Sequence, residues 1–165
     1  MVDWRGNAAI SGKLAEDFVK ERWGLKEDEN YEVKSTSRKN NQVVLKTIQL
    51  IQSGRKMFVI VRYDRKTRAL TKGPRKGRKV AAETVAKAFE HKLDVFTIRG
   101  FDLLKIISRE KRPLLITKIE NDAEWAFYWI VKIRSLSSTV LYEDDRVRVM
   151  GDILDPPSFL EPVPF

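Results

Sequence analysis

The sequence contains no cysteine. That excludes disulfides, zinc–thiolate sites and cysteine nucleophiles together. Its single histidine, His91, rules out a multi-histidine metal site. Near a helix end it reads as a cap or surface residue rather than a general base. Metal chemistry would therefore rest on carboxylates, which favour hard ions such as Mg²⁺ or Mn²⁺. No apolar run reaches the ~18 residues that span a bilayer. The opening "MVDWRGNAAISGK" lacks the basic start and apolar stretch of a signal peptide. A soluble, cytoplasmic protein with no membrane partner is the expectation.

Positive charge is abundant. Lys and Arg number 32 against 23 Asp and Glu, a formal net charge of +9. Such a balance favours polyanionic partners, nucleic acid above lipid. Hydrophobic residues make up 42% of the 165, enough for a real core. A third of the chain is charged, rich in Lys, Glu and Arg, which leans toward a thermophilic source.

Periodicity outlines the elements. "ISGKLAEDFVKERWG" reads as a helix with Ser11 as N-cap and Gly24 as stop. Leu14, Phe18, Val19 and Trp23 share an apolar arc, with Glu16 at its margin. "NYEVKSTS" reads as a strand, and "RKNNQ" as a turn. "VVLKTIQLIQSG" reads as a short extended entry and then a helix. Leu45, Ile48 and Ile51 lie on its buried side, and Lys46 and Gln49 on another. "KMFVIVRY" is a buried strand. The alternation continues with a helix in "VAAETVAKAFEHK", a strand in "LDVFTIRG" and a helix in "FDLLKIISREK". This order predicts an α/β fold with some parallel pairing. "PLLITKI" reads as a strand. "NDAEWAFYWIVKIRSL" opens like a capping box and fits a helix, although its aromatic and β-branched content also suits a strand. "TVLYEDDRVRVMG" reads as a hairpin, and the tail from 155 is Pro-rich.

Between residues 62 and 79 the chain carries nine cations opposed only by Asp64. Gly73, Pro74 and Gly77 make the stretch a loop. A Gly- and Lys/Arg-rich loop can follow a phosphate backbone. Arg65, Lys66, Arg68, Lys72, Arg75, Lys76, Arg78 and Lys79 are its candidate nucleic-acid contacts, joined by Arg38, Lys39 and Lys46. The plainer reading is a solvated loop. Trp125, Phe127, Tyr128 and Trp129 read as core or as the surface of a homodimer, rather than as a platform for bases.

One triplet carries a chemical pattern. In "YEVKSTS" the period of two puts Tyr31, Val33 and Ser35 on one face and Glu32, Lys34 and Thr36 on the other. A carboxylate and an ammonium two residues apart suit phosphodiester chemistry. The first can hold a divalent ion, and the second can orient water or neutralise the phosphate. Glu16 and Asp28 are the nearest further carboxylates.

The ordered series "GKLAEDFVKE", "EVKS", "LKTIQL" and "MFVIVRY" resembles the restriction-endonuclease-like superfamily, whose active site is written PD-(D/E)xK. The nearer likenesses are archaeal Holliday-junction resolvases and Mrr-type restriction domains. The resemblance covers roughly residues 10 to 63. It implies a mixed central sheet flanked by helices, here followed by a C-terminal helix and hairpin extension. The corresponding division is a nuclease core over 1–110 and an extension over 111–165 packed on it. It further implies a Mg²⁺- or Mn²⁺-dependent DNA endonuclease, DNA rather than RNA as partner, and a role in DNA repair or a mobile element. Matched residue by residue, Glu32, Lys34 and Gln49 are catalytic, and Glu16, Asp28 and Glu32 hold the metal. The family's aspartate on a preceding strand has no full counterpart, because the passage from Trp23 to Tyr31 is too short for a full strand. The alternative is a non-catalytic DNA-binding module on the same scaffold.

Overall fold

A computed structural model describes residues 4–25, 31–46, 55–64, 82–117 and 125–151. The central sheet holds five strands in the order β1-β3-β4-β8-β7. These are β1 (Tyr31–Ser37), β3 (Met57–Tyr63), β4 (Leu93–Arg99), β7 (Val140–Glu143) and β8 (Val147–Gly151). β1 runs parallel to β3, and β4 parallel to β8, while β3 and β4 are antiparallel. The sheet is therefore mixed. A second, antiparallel sheet has the order β2-β6-β5, from β2 (Gln42–Lys46), β5 (Pro113–Thr117) and β6 (Trp125–Lys132). Three α-helices, α1 (Trp4–Trp23), α2 (Ala82–Ala88) and α3 (Gly100–Glu110), and a short 3-10 helix (Ile133–Ser135) complete the described residues.

Each face of the central sheet has its own core. On one side α1 and α2 bury Ala15, Val19, Trp23, Val85 and Phe89 against Val33, Val59, Val61, Val95 and Val149. On the other, Phe58, Ile60, Phe96, Ile98 and Met150 meet Leu103, Ile106 and Ile107 of α3, and Val43, Leu45 and Val131 of the second sheet. β3 and β4 are thus covered on both faces. Their near-continuous apolar runs, "MFVIV" and "VFTI", follow from that double burial rather than from alternation.

Helix α1 begins seven residues before the expected N-cap, so Ser11 lies inside it. Ser11, Ala15, Val19 and Trp23 form the buried stripe, each four residues from the next. Its small members let the helix approach β1 closely, and the Ser11 hydroxyl lies 3.1 Å from that of Ser35. The helix ends at Gly24, whose φ of 68° permits the left-handed turn. α3 ends in the same manner at Lys111 (φ 48°), whose N–H donates to the Ile107 carbonyl. Pro113 follows and prevents continuation.

Two sequence expectations are corrected. "NDAEWAFYWIVKIRSL" supplies a strand, not the C-terminal helix: β6 lies between β2 and β5, bonded to both. Two flanking partners satisfy its backbone, and there its aromatic and β-branched residues outweigh the capping-box pattern. The helix expected from Leu45 onward does not include Leu45 or Lys46. Both belong to β2, where Leu45 pairs with Trp129 and Lys46 with Tyr128; positions 47–54, with Ile48 and Ile51, lie outside the described residues. The chain after 111 does more than pack on the sheet, since β8 sits inside it between β4 and β7. No helix of the described residues is long and apolar enough to cross a membrane.

Candidate functional site

The face of β1 turned away from α1 carries Glu32, Lys34 and Thr36. Glu32 is cross-strand neighbour to Phe58, Lys34 to Ile60 and Thr36 to Arg62. The carboxylate of Glu32 is held by two ammonium groups. Lys34 Nζ lies 3.5 Å from Oε1, and Lys56 Nζ lies 3.3 Å from Oε2. The Glu32 side chain is 13% exposed, and those of Lys34 and Lys56 are 25% and 23%. Partial burial makes this group stronger than a solvated pair. It contains one negative and two positive charges, so it is cationic as a unit. Lys56 is fixed from behind, because its carbonyl accepts the N–H of Gly100 at 2.7 Å, at the start of α3.

The same face has a second charged cluster toward the other end of the strands. Asp94 is buried at 5% exposure in β4. Its Oδ2 accepts from Arg38 Nη2 at 2.6 Å, and from Arg62 Nη2 and Nε at 2.6 and 3.1 Å. Arg62 also lies over the Phe96 ring, 5.0 Å from its centroid. Its Nη1 donates to the side-chain carbonyl of Asn41 at 2.9 Å. Asn41 has a φ of 51°, a left-handed conformation that asparagine tolerates. Arg62 thereby fixes the turn that carries Arg38 and Lys39. Those two are exposed, and the Arg38 N–H is bonded to the Tyr63 carbonyl at 2.8 Å. The basic run begins in sequence just after Tyr63 and Asp64.

The sequence-derived site residues divide accordingly. Glu32 and Lys34 come together, and Arg38 and Lys39 share an exposed turn. Glu16 is exposed on α1, a helix packed on the opposite face of the sheet. Lys46 ends β2. Asp28, Gln49, Arg65, Lys66, Arg68, Lys72, Arg75, Lys76, Arg78 and Lys79 lie outside the described residues. His91 is exposed.

A divalent ion needs several oxygen ligands at once. Among the described residues no group of three or more Asp, Glu or His could hold one. Both oxygens of Glu32 already face ammonium groups. The described residues therefore do not fit a Mg²⁺ or Mn²⁺ site, and no catalytic step is derived through one.

The remaining charged cluster secures the β7–β8 hairpin. Burial alone would raise the Asp144 carboxyl. Hydrogen bonds from the Val147 and Arg146 N–H groups, from the Tyr142 hydroxyl and from Arg22 instead hold it at about 2. Arg22 comes from the last turn of α1, so this pairing ties the hairpin to the first helix. Arg146 lies over the Phe18 ring at 5.3 Å and donates to the Phe89 and His91 carbonyls. These contacts tie the hairpin to α1 and to the segment after α2.

Lys56 and Asp94 escaped the sequence reading. Lys56 joins Glu32 from 24 residues away, through parallel pairing that no local pattern encodes. Asp94 did leave a signal. A lone carboxylate near the start of the apolar run "LDVFTI" needs a buried partner, and β3 supplies Arg62 directly opposite. Compared with family models, curated proteins and solved structures, the chain matches none.

Proposed function

We propose that this protein binds nucleic acid, DNA rather than RNA, chiefly through the sugar–phosphate backbone. One observation carries the reading. Two charged clusters on the same face of the central sheet each place two cations around one carboxylate: Lys34 and Lys56 on Glu32, and Arg38 and Arg62 on Asp94. The Glu32 cluster keeps a surplus positive charge; Asp64, 3.9 Å from Arg38, balances the Asp94 cluster, beside which Arg38 and Lys39 are exposed. In sequence eight further cations, Arg65 to Lys79, follow. Phosphates meeting such groups release counterions, which supplies affinity without reading bases.

A metal-dependent endonuclease on a restriction-endonuclease-like scaffold is the second reading. It is favoured by Glu32 and Lys34 sharing one half-buried strand face, and it would require Asp28 or other oxygens, not Glu16 on the opposite face, to join Glu32 around Mg²⁺ or Mn²⁺.

One experiment separates the two. Single-stranded, duplex and branched DNA are incubated with the protein and Mg²⁺ or Mn²⁺. Binding and cleavage are scored together, beside Glu32→Ala, Lys34→Ala and a variant with the 65–79 cations neutralised. The binding reading expects retarded DNA that is released when the basic run is neutralised, with no cutting. Cleavage lost in Glu32→Ala and Lys34→Ala would establish the nuclease. Absence of binding to any substrate would reject both.

A further inference from the structure

The Glu32 cluster has one cation more than a nuclease half-motif requires, and that cation takes the second oxygen of the cluster's one carboxylate. Lys34 is two residues from Glu32 on the same strand face, as the triplet demands. Lys56 arrives from the start of a different strand and takes the second carboxylate oxygen. Its backbone carbonyl accepts the Gly100 N–H, which fixes the point from which the side chain reaches Glu32. Both lysine side chains are about three-quarters buried. Two partly desolvated ammonium groups around one carboxylate leave a unit of positive charge with donors to spare, since each ammonium has three N–H groups.

We propose that Glu32, Lys34 and Lys56 form a metal-independent subsite for a phosphate monoanion of a nucleic-acid backbone. Lys56 supplies the charge that a divalent ion would otherwise provide. Glu32 is a positioning residue: it spaces the two ammonium groups and holds them at the sheet surface. The phosphate takes the N–H donors that the carboxylate leaves over, and no bond is made or broken. A divalent ion and Lys56 then compete for the same carboxylate oxygen, so the wild-type chain is a poor metal binder at Glu32. The inference rests on the nucleic-acid reading only for the source of the phosphate; the anion subsite itself is tested without DNA.

The test has two arms on the full-length chain. In the first, inorganic phosphate is titrated while the ε-methylene resonances of the lysines are followed by NMR, in wild type, Lys56→Gln and Lys56→Arg. Saturable shifts of Lys34 and Lys56 are expected in wild type. Lys56→Gln should weaken the response at Lys34 about tenfold, and Lys56→Arg should retain most of it. In the second, Mn²⁺ binding is followed by water-proton relaxation. Neither wild type nor Lys56→Gln should bind Mn²⁺ at Glu32, because one carboxylate does not make a site. Thermal melts confirm that each variant is folded. If Lys56→Gln were not, Lys56→Arg and wild type would still decide the phosphate arm. Wild-type phosphate response in folded Lys56→Gln, or no saturable response in wild type, overturns the proposal. So does a Glu32-dependent Mn²⁺ site in wild type. A wild-type chain that shows the phosphate response but does not retard DNA would refute the nucleic-acid reading and leave the subsite standing.

Discussion

Replacing Asp94 by Asn tests the account of the buried charge network. Three charged hydrogen bonds converge on one oxygen of Asp94. The partners are not equal. The Arg38 side chain is 52% exposed and regains water when the carboxylate is removed, so its share is below ~1 kcal/mol. The Arg62 side chain is 15% exposed and lies on Phe96, so it loses its counter-charge with little solvent to replace it. Hydrogen bonds to charged groups are worth about 1.5–3 kcal/mol. Stripping one partner from a fully buried pair costs about 3–5 kcal/mol. Asn keeps one acceptor oxygen, so Asp94→Asn should cost about 2–3 kcal/mol, a large part of the ~5–15 kcal/mol typical of a domain. Urea unfolding should show a lower midpoint with an unchanged slope, and the melting temperature should fall by about 4–12 °C. Arg62→Leu should then cost much less in the Asp94→Asn background than alone, because the two act as a unit. Asp94→Asn within about 0.5 kcal/mol of wild type would refute this reasoning.

Asp144 sets a pH dependence. Its carboxyl is lowered from 3.8 to about 2 in the folded chain, so its contribution is complete above the unfolded value and lost as pH falls through both. Its side chain is 31% exposed, which leaves about 1–2 kcal/mol after solvent screening. Denaturation curves from pH 5 to 2 should lose that part of their slope in Asp144→Asn, and an unchanged slope would count against the pairing. Gly151→Ala should destabilise by about 1–3 kcal/mol. A Cβ there would lie 2.5 Å from Thr97 Oγ1 and 2.6 Å from the Thr97 carbonyl oxygen, and the latter is part of β4 and cannot swing away. Thr97→Ala should relieve that cost only in part, as read by thermal melts.

Where local chemistry and tertiary placement agree, the elements were readable from the chain. The doubly buried β3 announced itself as an apolar, β-branched run, and the α1 stop at Gly24 as a glycine after the last apolar turn. The β7–β8 hairpin was visible from its acidic turn, where Asp144 accepts the Arg146 and Val147 N–H groups. Non-local pairing was hidden. β6 carries a helix-like opening, yet two flanking strands decide its state. Ser11 has cap chemistry, but its hydroxyl serves contact with Ser35 inside the helix stripe. At the site, the period of two placed Glu32 and Lys34 together. Lys56 was invisible because a parallel neighbour is joined only through a long crossover. Glu16 sat at the margin of its helix's apolar arc, but nothing in that pattern says which face of the sheet the helix covers.

The most direct measurement is the salt dependence of DNA binding by the wild-type chain, read by fluorescence anisotropy on a labelled duplex without divalent ions. Contacts to about six or more phosphates should weaken affinity by about 10³-fold or more between 50 and 200 mM salt. Lys56→Gln should reduce the logarithmic slope by about one while leaving the protein folded. Affinity that is absent at low salt, or that does not change with salt, would contradict the account.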